Sequence, residues 1–338
     1  MIGLVSAVFL TALLYFVFGI GESIRHHERM NDAVDAGAYA TAVMHARAMN
    51  LVALGNMLKL TVTAIQAAYL AITTGAILLI IWIVSGGYWR WIRYGYLVPI
   101  CAYIIATAMG SYSKFDSKAR SITRAVDDLQ QTARDDLPTI ALLKADQMVA
   151  DNYHEPALGL VSAPDMSNEL DPMPIRPGSS FDLCKRAWPY MVGMVLKASR
   201  VLPEKRGKFI GYALGVAFPY CLSRGIRPYE MSDSQLGDDS FQIRVAAYGD
   251  PLPALGERGV MVGTYLMDDP SSKGIPAARD RVSRMSLAQS EYYFDGPQDP
   301  DEMLWQLKWK ARLRRFRLGG GSGALGGFLG VGLDEVYR

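Results

Sequence analysis

The sequence predicts an α+β membrane-anchored fold: a long N-terminal helix, two further transmembrane helices, and an extracytoplasmic domain with helices and an antiparallel sheet. Three observations predict it. Uncharged runs of bilayer length fill much of the first third of the chain. Charged segments with helical periodicity follow. From residue 240 onward the apolar period changes from the helical one to two.

The chain has 338 residues, 50% of them hydrophobic, and a formal net charge of +2. That length supports a sizeable core and two domains. A nucleic-acid binder would carry a clear basic excess, which is missing here, so no nucleic-acid partner is expected.

Residues 1–20, MIGLVSAVFLTALLYFVFGI, carry no charge. As a helix they reach about 30 Å, the thickness of a bilayer core. There is no basic n-region and no small-x-small site, so the segment reads as an uncleaved anchor. Further uncharged runs cover Thr61–Val84 and Tyr94–Ser113. Between them, Trp89, Arg90, Trp91 and Arg93 form an aromatic and basic loop of the kind that sits at a membrane surface. That loop has no acid, so the positive-inside rule makes it cytoplasmic. The N-terminus is then cytoplasmic too, with residues 21–60 and 114–338 outside. Membrane lipid is one expected partner.

Residues 22–59 read as one helix continuing the anchor. Ala33, Gly37, Ala40 and Ala48 recur at spacings that place small side chains on shared faces. Such faces let helix backbones approach closely. They are the candidate helix-packing interface, expected to meet helices of other subunits or further copies of this chain.

Residues 114–155 read as an amphipathic helical stalk with a stripe of Ile122, Ala125, Leu129, Ala133 and Leu137. Pro138 restarts the helix. Its paired acids, Asp127–Asp128 and Asp135–Asp136, read as a solvated face. Residues 155–180 are rich in proline and polar residues and read as a linker. Helices return at Phe181–Arg200 and Lys205–Ser223. Strands follow in FQIRVAAYG, GVMVGTYLM, SRMSLAQSEYYFDG and LKWKARLR. In the last, Leu307, Trp309, Ala311 and Leu313 face one way. Lys308, Lys310, Arg312 and Arg314 face the other, a basic face suited to anionic lipid or an acidic partner. The boundaries are 1–60 for the anchor and small-residue helix, 61–113 for the transmembrane hairpin, 114–155 for the stalk, 156–318 for the outer α+β domain and 319–338 for a glycine-rich tail.

No chemistry stands out. His26, His27 and Glu28 are adjacent, but neighbouring helical residues point about 100° apart and do not share a metal easily. The glycines of LGGGSGALGG lack the Lys–Ser/Thr of a phosphate loop. His154 stands beside the linker with no nucleophile assigned to it. No cofactor, metal or catalytic residue is expected, and the chain reads as a non-enzyme. Cys184 and Cys221 both fall in the outer domain, where a disulfide persists, and they stand as either a bridge or two buried thiols.

Two separated stretches stand out together. After the anchor, Asp32, Ala33, Asp35, Ala36, Ala46, Arg47, Ala48, Asn50 and Asn56 match an ADAAA…ARALN…N helix. Near the C-terminus, Ala288, Tyr292, Tyr293, Trp309, Ala311, Arg312 and Leu313 match an A-x-A-x-x-Y-Y strand followed by a W-x-A-R-L strand. In this order the two stretches resemble the TadE/TadG-like proteins of Tad (Flp-type) pilus assembly. The resemblance implies a pseudopilin-like inner-membrane protein with an anchor helix, a periplasmic α+β region and pilin-like partners. The apolar hairpin at 61–113 departs from a plain minor pilin and suggests a protein retained in the membrane. The alternative is an accessory structural subunit of an unrelated respiratory, photosynthetic or transport complex, docked through the tryptophan-bearing hairpin.

Overall fold

The computed structural model describes residues 2–153, 159–162, 170–201, 206–232, 241–249, 284–297 and 299–314. These are mostly helical, with a small antiparallel sheet.

Helix α1 runs unbroken from Ile2 to Ser85. Its length is about 126 Å. The sequence reading ends a unit at residue 60, but the helix passes straight through. Gly55 does not break it, because α3 packs directly against that glycine. The stop comes at Gly86 and Gly87, where Gly87 takes φ +74°, a conformation that side-chain-bearing residues rarely adopt. Short α2 (Gly87–Tyr94) follows and meets α3 (Leu97–Asp135) at a 73° bend. The third uncharged run is therefore split at Gly95. Pro99 falls in the first turn of α3, where no intrahelical N–H is required. Nothing halts α3 at residue 113, so the expected hairpin arm and stalk are one helix. Pro138 sits at the start of α4 (Leu137–Tyr153) as expected.

Helices α5 (Ser180–Ala198) and α6 (Arg206–Ser223) match the expected ones. Ser179 caps α5, its Oγ accepting from the Phe181 N–H at 3.1 Å. The principal sheet has the order β1-β4-β5-β6, all antiparallel, with β1 Gly159–Ser162, β4 Gln242–Gly249, β5 Arg284–Phe294 and β6 Trp309–Arg314. A second pair joins β2 (Ile175–Pro177) to β3 (Tyr229–Met231). A single-turn α7 (Pro300–Met303) precedes β6. β1 and β2 lie inside the expected linker. They are four and three residues long, too short for an alternating pattern to register. The GVMVGTYLM strand and the glycine-rich tail lie outside the described residues.

Two cores are threaded on α1, and they do not follow the sequence divisions. The first packs Ala33, Val34, Ala38, Ala42 and Met49 of α1 against Leu142 and Val149 of α4 and Val245, Ala288, Tyr292 and Trp309 of the sheet. The second packs Ala64, Ala71, Leu79 and Ile83 of α1 against Leu97 and Cys101 of α3, Met191 and Val195 of α5, and Phe209 and Ala213 of α6. The residues assigned to an outer domain thus divide, strands with the first core and α5–α6 with the second.

Among the described residues two segments are long and apolar enough to cross a bilayer, Gly3–Gly21 and part of Glu28–Ser85, and the bent α2–α3 pair taken as one makes a third. Gly21 and Thr61 are separated by about 60 Å of continuous helix. The expected topology, with both flanking runs crossing one bilayer and 21–60 outside, therefore needs a bend in α1 between them.

Candidate functional site

The small-residue face lies inside the chain's own core. Ala33 is fully buried and Ala48 nearly so, and Ala40 packs partly buried against the same cluster. A Cβ at Gly37 would overlap Leu160 of β1 and sit 3.2 Å from Val149 of α4. The expected docking of 33–48 on partner helices is corrected accordingly: these small side chains let the protein's own sheet and α4 approach α1.

Polar side chains lock the sheet to that face. Asn50 donates to the Trp309 carbonyl at 3.0 Å and accepts from the Trp309 N–H at 3.1 Å, so one amide completes a strand-like pair with β6. Ser290 Oγ donates to the Ala38 carbonyl at 2.7 Å. His45 is buried, bonded through Nδ1 to the Thr41 carbonyl at 2.8 Å and stacked on Tyr292. Only its neutral form suits this setting, because burial lowers its pKa to about 4. The Tyr292 phenol is pushed up by the same burial.

Below this face a polar ladder joins α1 to α3, at positions spaced for a single helical stripe. Asn56, fully buried, donates to the Tyr229 and Leu304 carbonyls at 2.9 and 3.1 Å and accepts from the Tyr229 N–H at 2.9 Å. Gln130 donates to Val52 O at 2.9 Å and Asn56 Oδ1 at 3.1 Å. Lys59 is buried, pairs with Asp127 and donates to the Arg227 carbonyl at 3.0 Å. Burial lowers the Lys59 pKa, and the Asp127 carboxylate opposes that shift. Gln66 donates to Asp116 Oδ1 at 3.0 Å, and Asp116 also holds Arg120 and Arg224. Apart from Asn56, named only for the family resemblance, and Asp127, read as part of a solvated face, the sequence reading passed over these residues. The signal was present: Asn56, Lys59, Thr63 and Gln66 recur at three and four on a helix otherwise apolar there. Asp127, read as solvated, is the counter-ion of a buried lysine.

The basic strand face is exposed but largely paired. Lys310 pairs with Asp295 at 2.5 Å, and Arg312 and Arg314 share Glu291. Acids on the neighbouring strand β5 and the turn after it neutralise three of the four cations, and Lys308 remains exposed. The apolar side of β6 also fades. Trp309 is buried and Ala311 packs on the core, but Leu313 and Leu307 face outward.

Cys184 and Cys221 form a disulfide linking α5 to α6, with Cα atoms 5.9 Å apart. Around α2, the Arg90 and Lys208 cations lie 4.9 and 3.8 Å from the Trp82 ring centre. The His26 and His27 side chains and all of His154 lie outside the described residues. Among the described residues no three His, Cys, Asp or Glu side chains converge as a metal set would.

Compared with protein-family models, with curated proteins and with solved structures, the chain matches none.

Proposed function

We propose that this protein is a non-enzymatic scaffold of a Tad-type pilus assembly, held in a bacterial inner membrane by its lower bundle with the sheet on the periplasmic side. One observation supports this most. The two stretches that resemble the TadE/TadG-like family meet in one core through the Asn50–Trp309 pair, 259 residues apart in sequence. A likeness built from alanines alone would not require its two ends to be bonded.

In this reading the lower halves of α1 and α3 sit in the bilayer, and the basic α2 faces the cytoplasm. The sheet rigidifies residues 28–60 as a rod. Gly3–Gly21 has no side chain buried in the fold, and a straight α1 carries it beyond the sheet, away from the bundle. Apolar helices of pilin-like subunits would cover it there. Contacts between subunits thus pass to 3–21 from the 33–48 face.

The test is co-purification in mild detergent with a tagged full-length chain and with a chain lacking residues 3–21. The expected result is that pilin-like subunits accompany the first and are lost from the second, while both remain in membranes. Recovery of cofactor-bearing subunits, or of the same pilin-like partners with both chains, would overturn the proposal.

A further inference from the structure

Charge brackets the lower bundle at two levels. At the level nearer the sheet, Arg224 lies 2.6 Å from Asp116, which also accepts from Gln66. There too Arg186 of α5 reaches Glu302 at 2.8 Å and the Asp301 carbonyl at 2.7 Å, tying this end to α7. At the far level Lys208 lies over Trp82 beside Arg90. The two levels are sixteen residues apart on α1, Gln66 to Trp82, and sixteen along α6 and the turn after it, Lys208 to Arg224. That is a slab about 24 Å deep.

Within this slab α5 and α6 carry no charge, from Ala187 to Leu196 and from Phe209 to Ser223. Their outward positions are Pro189, Tyr190 and Leu196 on α5 and Gly211, Gly215 and Pro219 on α6, with Ser223 exposed at the sheet-side end. A helix hairpin covering a water-soluble core puts charged and polar residues there. Lys185, Arg186 and Lys197 bound the shorter uncharged stretch of α5, and their aliphatic stems reach along apolar surface to keep the charge in water.

The far level is predominantly basic. Arg90, Arg93, Lys197, Arg200 and Lys208 fall in residues 85–95, 197–201 and 206–208, which hold no acid, and the sequence between α5 and α6 adds a single one, Glu204. The disulfide, by contrast, lies toward the sheet end, with Cys184 two residues from Arg186 and Cys221 three from Arg224. Bilayer topology separates these same features, with basic residues on the cytoplasmic side and disulfides on the oxidising side.

We infer that α5 and α6 form a membrane-embedded hairpin. Its outward face meets lipid chains, and its basic end, with Lys197, Arg200 and Lys208, meets anionic headgroups on the face that α2 occupies. This rests on the reading that the lower halves of α1 and α3 span the bilayer, and it replaces the expectation that all of 156–318 lies outside.

The test is labelling of single-cysteine variants by a membrane-impermeant maleimide in right-side-out and inside-out vesicles. The variants are Arg200→Cys at the hairpin turn, Arg93→Cys on α2 and Ser117→Cys on α3 past the sheet-side level. The parent chain, with Cys101 buried and the other two cysteines bridged, is the blank. The expected result is that positions 200 and 93 label only in inside-out vesicles and position 117 only in right-side-out ones. Labelling of 200 together with 117, with 93 opposite, would place the hairpin outside and overturn the inference while leaving the spans intact. Labelling of 93 and 117 from one side would remove the spans and the inference together.

Discussion

The two cores on α1 are joined to it differently. Above residue 60, the helix holds its sheet with hydrogen bonds from Asn50 and Asn56 to strand and loop backbone and from Ser290 back to the Ala38 carbonyl. Between Ala64 and Ile83 the surrounding helices meet it largely through alanine, leucine and aromatic side chains, and the covalent tie is between α5 and α6. A strand edge presents backbone donors and acceptors that must be met when buried, so a helix against strands needs amides. A helix satisfies its own backbone, so helices packed on helices need only shape. The change of chemistry along one helix thus follows the backbone of whatever lies against it.

Several experiments sharpen or break this comparison, beginning with the largest expected effect. Loss of the bridge in Cys184→Ser/Cys221→Ser frees a 37-residue separation, worth about 4 kcal/mol by loop closure. The loss should appear as earlier melting of the α5–α6 region in detergent, with amide exchange in β4–β6 unchanged. Loss of protection in both cores together would mean that they are not separable. Asn56→Ala should do the reverse. It strands the Tyr229 N–H and two buried carbonyls, costs about 3 kcal/mol and loosens the sheet side first.

Between about pH 6.5 and about 4, acid should act on the upper core through His45. His45 is held neutral with a pKa of about 4, while an unfolded histidine takes its proton near 6.5. The unfolded chain therefore binds more protons between those values. Stability is fully present above the upper value and falls as pH drops toward the lower one, by at most about 3 kcal/mol. A denaturation series across that window should show the slope, and His45→Gln should abolish it.

Two glycines of α1 give a finer contrast. At Gly55 an added Cβ would lie 2.6 Å from the Gln130 amide nitrogen and 3.0 Å from Val126, and Gln130 is pinned by its own hydrogen bonds. Gly55→Ala should cost about 1–3 kcal/mol. At Gly75 the nearest atoms are Ala213 Cβ at 3.1 Å and Phe209 at 3.2 Å, so Gly75→Ala needs a smaller displacement and should lower the midpoint less. Smallest of all, Lys310→Ala breaks an exposed ion pair with Asp295 and should leave the unfolding midpoint unchanged in either core.

Much of the fold was legible. Uncharged runs and restart signals marked α1, α3 and α4, and the two-residue period marked β4, β5 and β6. What escaped shares one cause, dependence on a partner distant in sequence. β3 exists because Tyr229–Met231 meets Ile175–Pro177, far away in sequence. The small residues Ala33 and Gly37 announced close approach but carried no sign that the chain's own sheet, together with α4, would make it. The charges of Arg312 and Arg314 looked free until Glu291 was placed beside them. Lys59 was hidden in the same way, since its buried pairing needs Asp127 from another helix.

The continuity of α1 has one further consequence, and it concerns angle. Each residue of an α-helix turns the chain by about 100°. The azimuth that Gly3–Gly21 presents is therefore locked to the azimuth at which residues 30–60 receive the sheet. Two residues inserted near Arg25 would swing the leading segment to nearly the opposite side. Seven would return it to within about 20° while lengthening the shaft by about two turns. A contact that reads direction should survive the seven-residue insertion and fail with two. A contact that reads only greasiness should accept both.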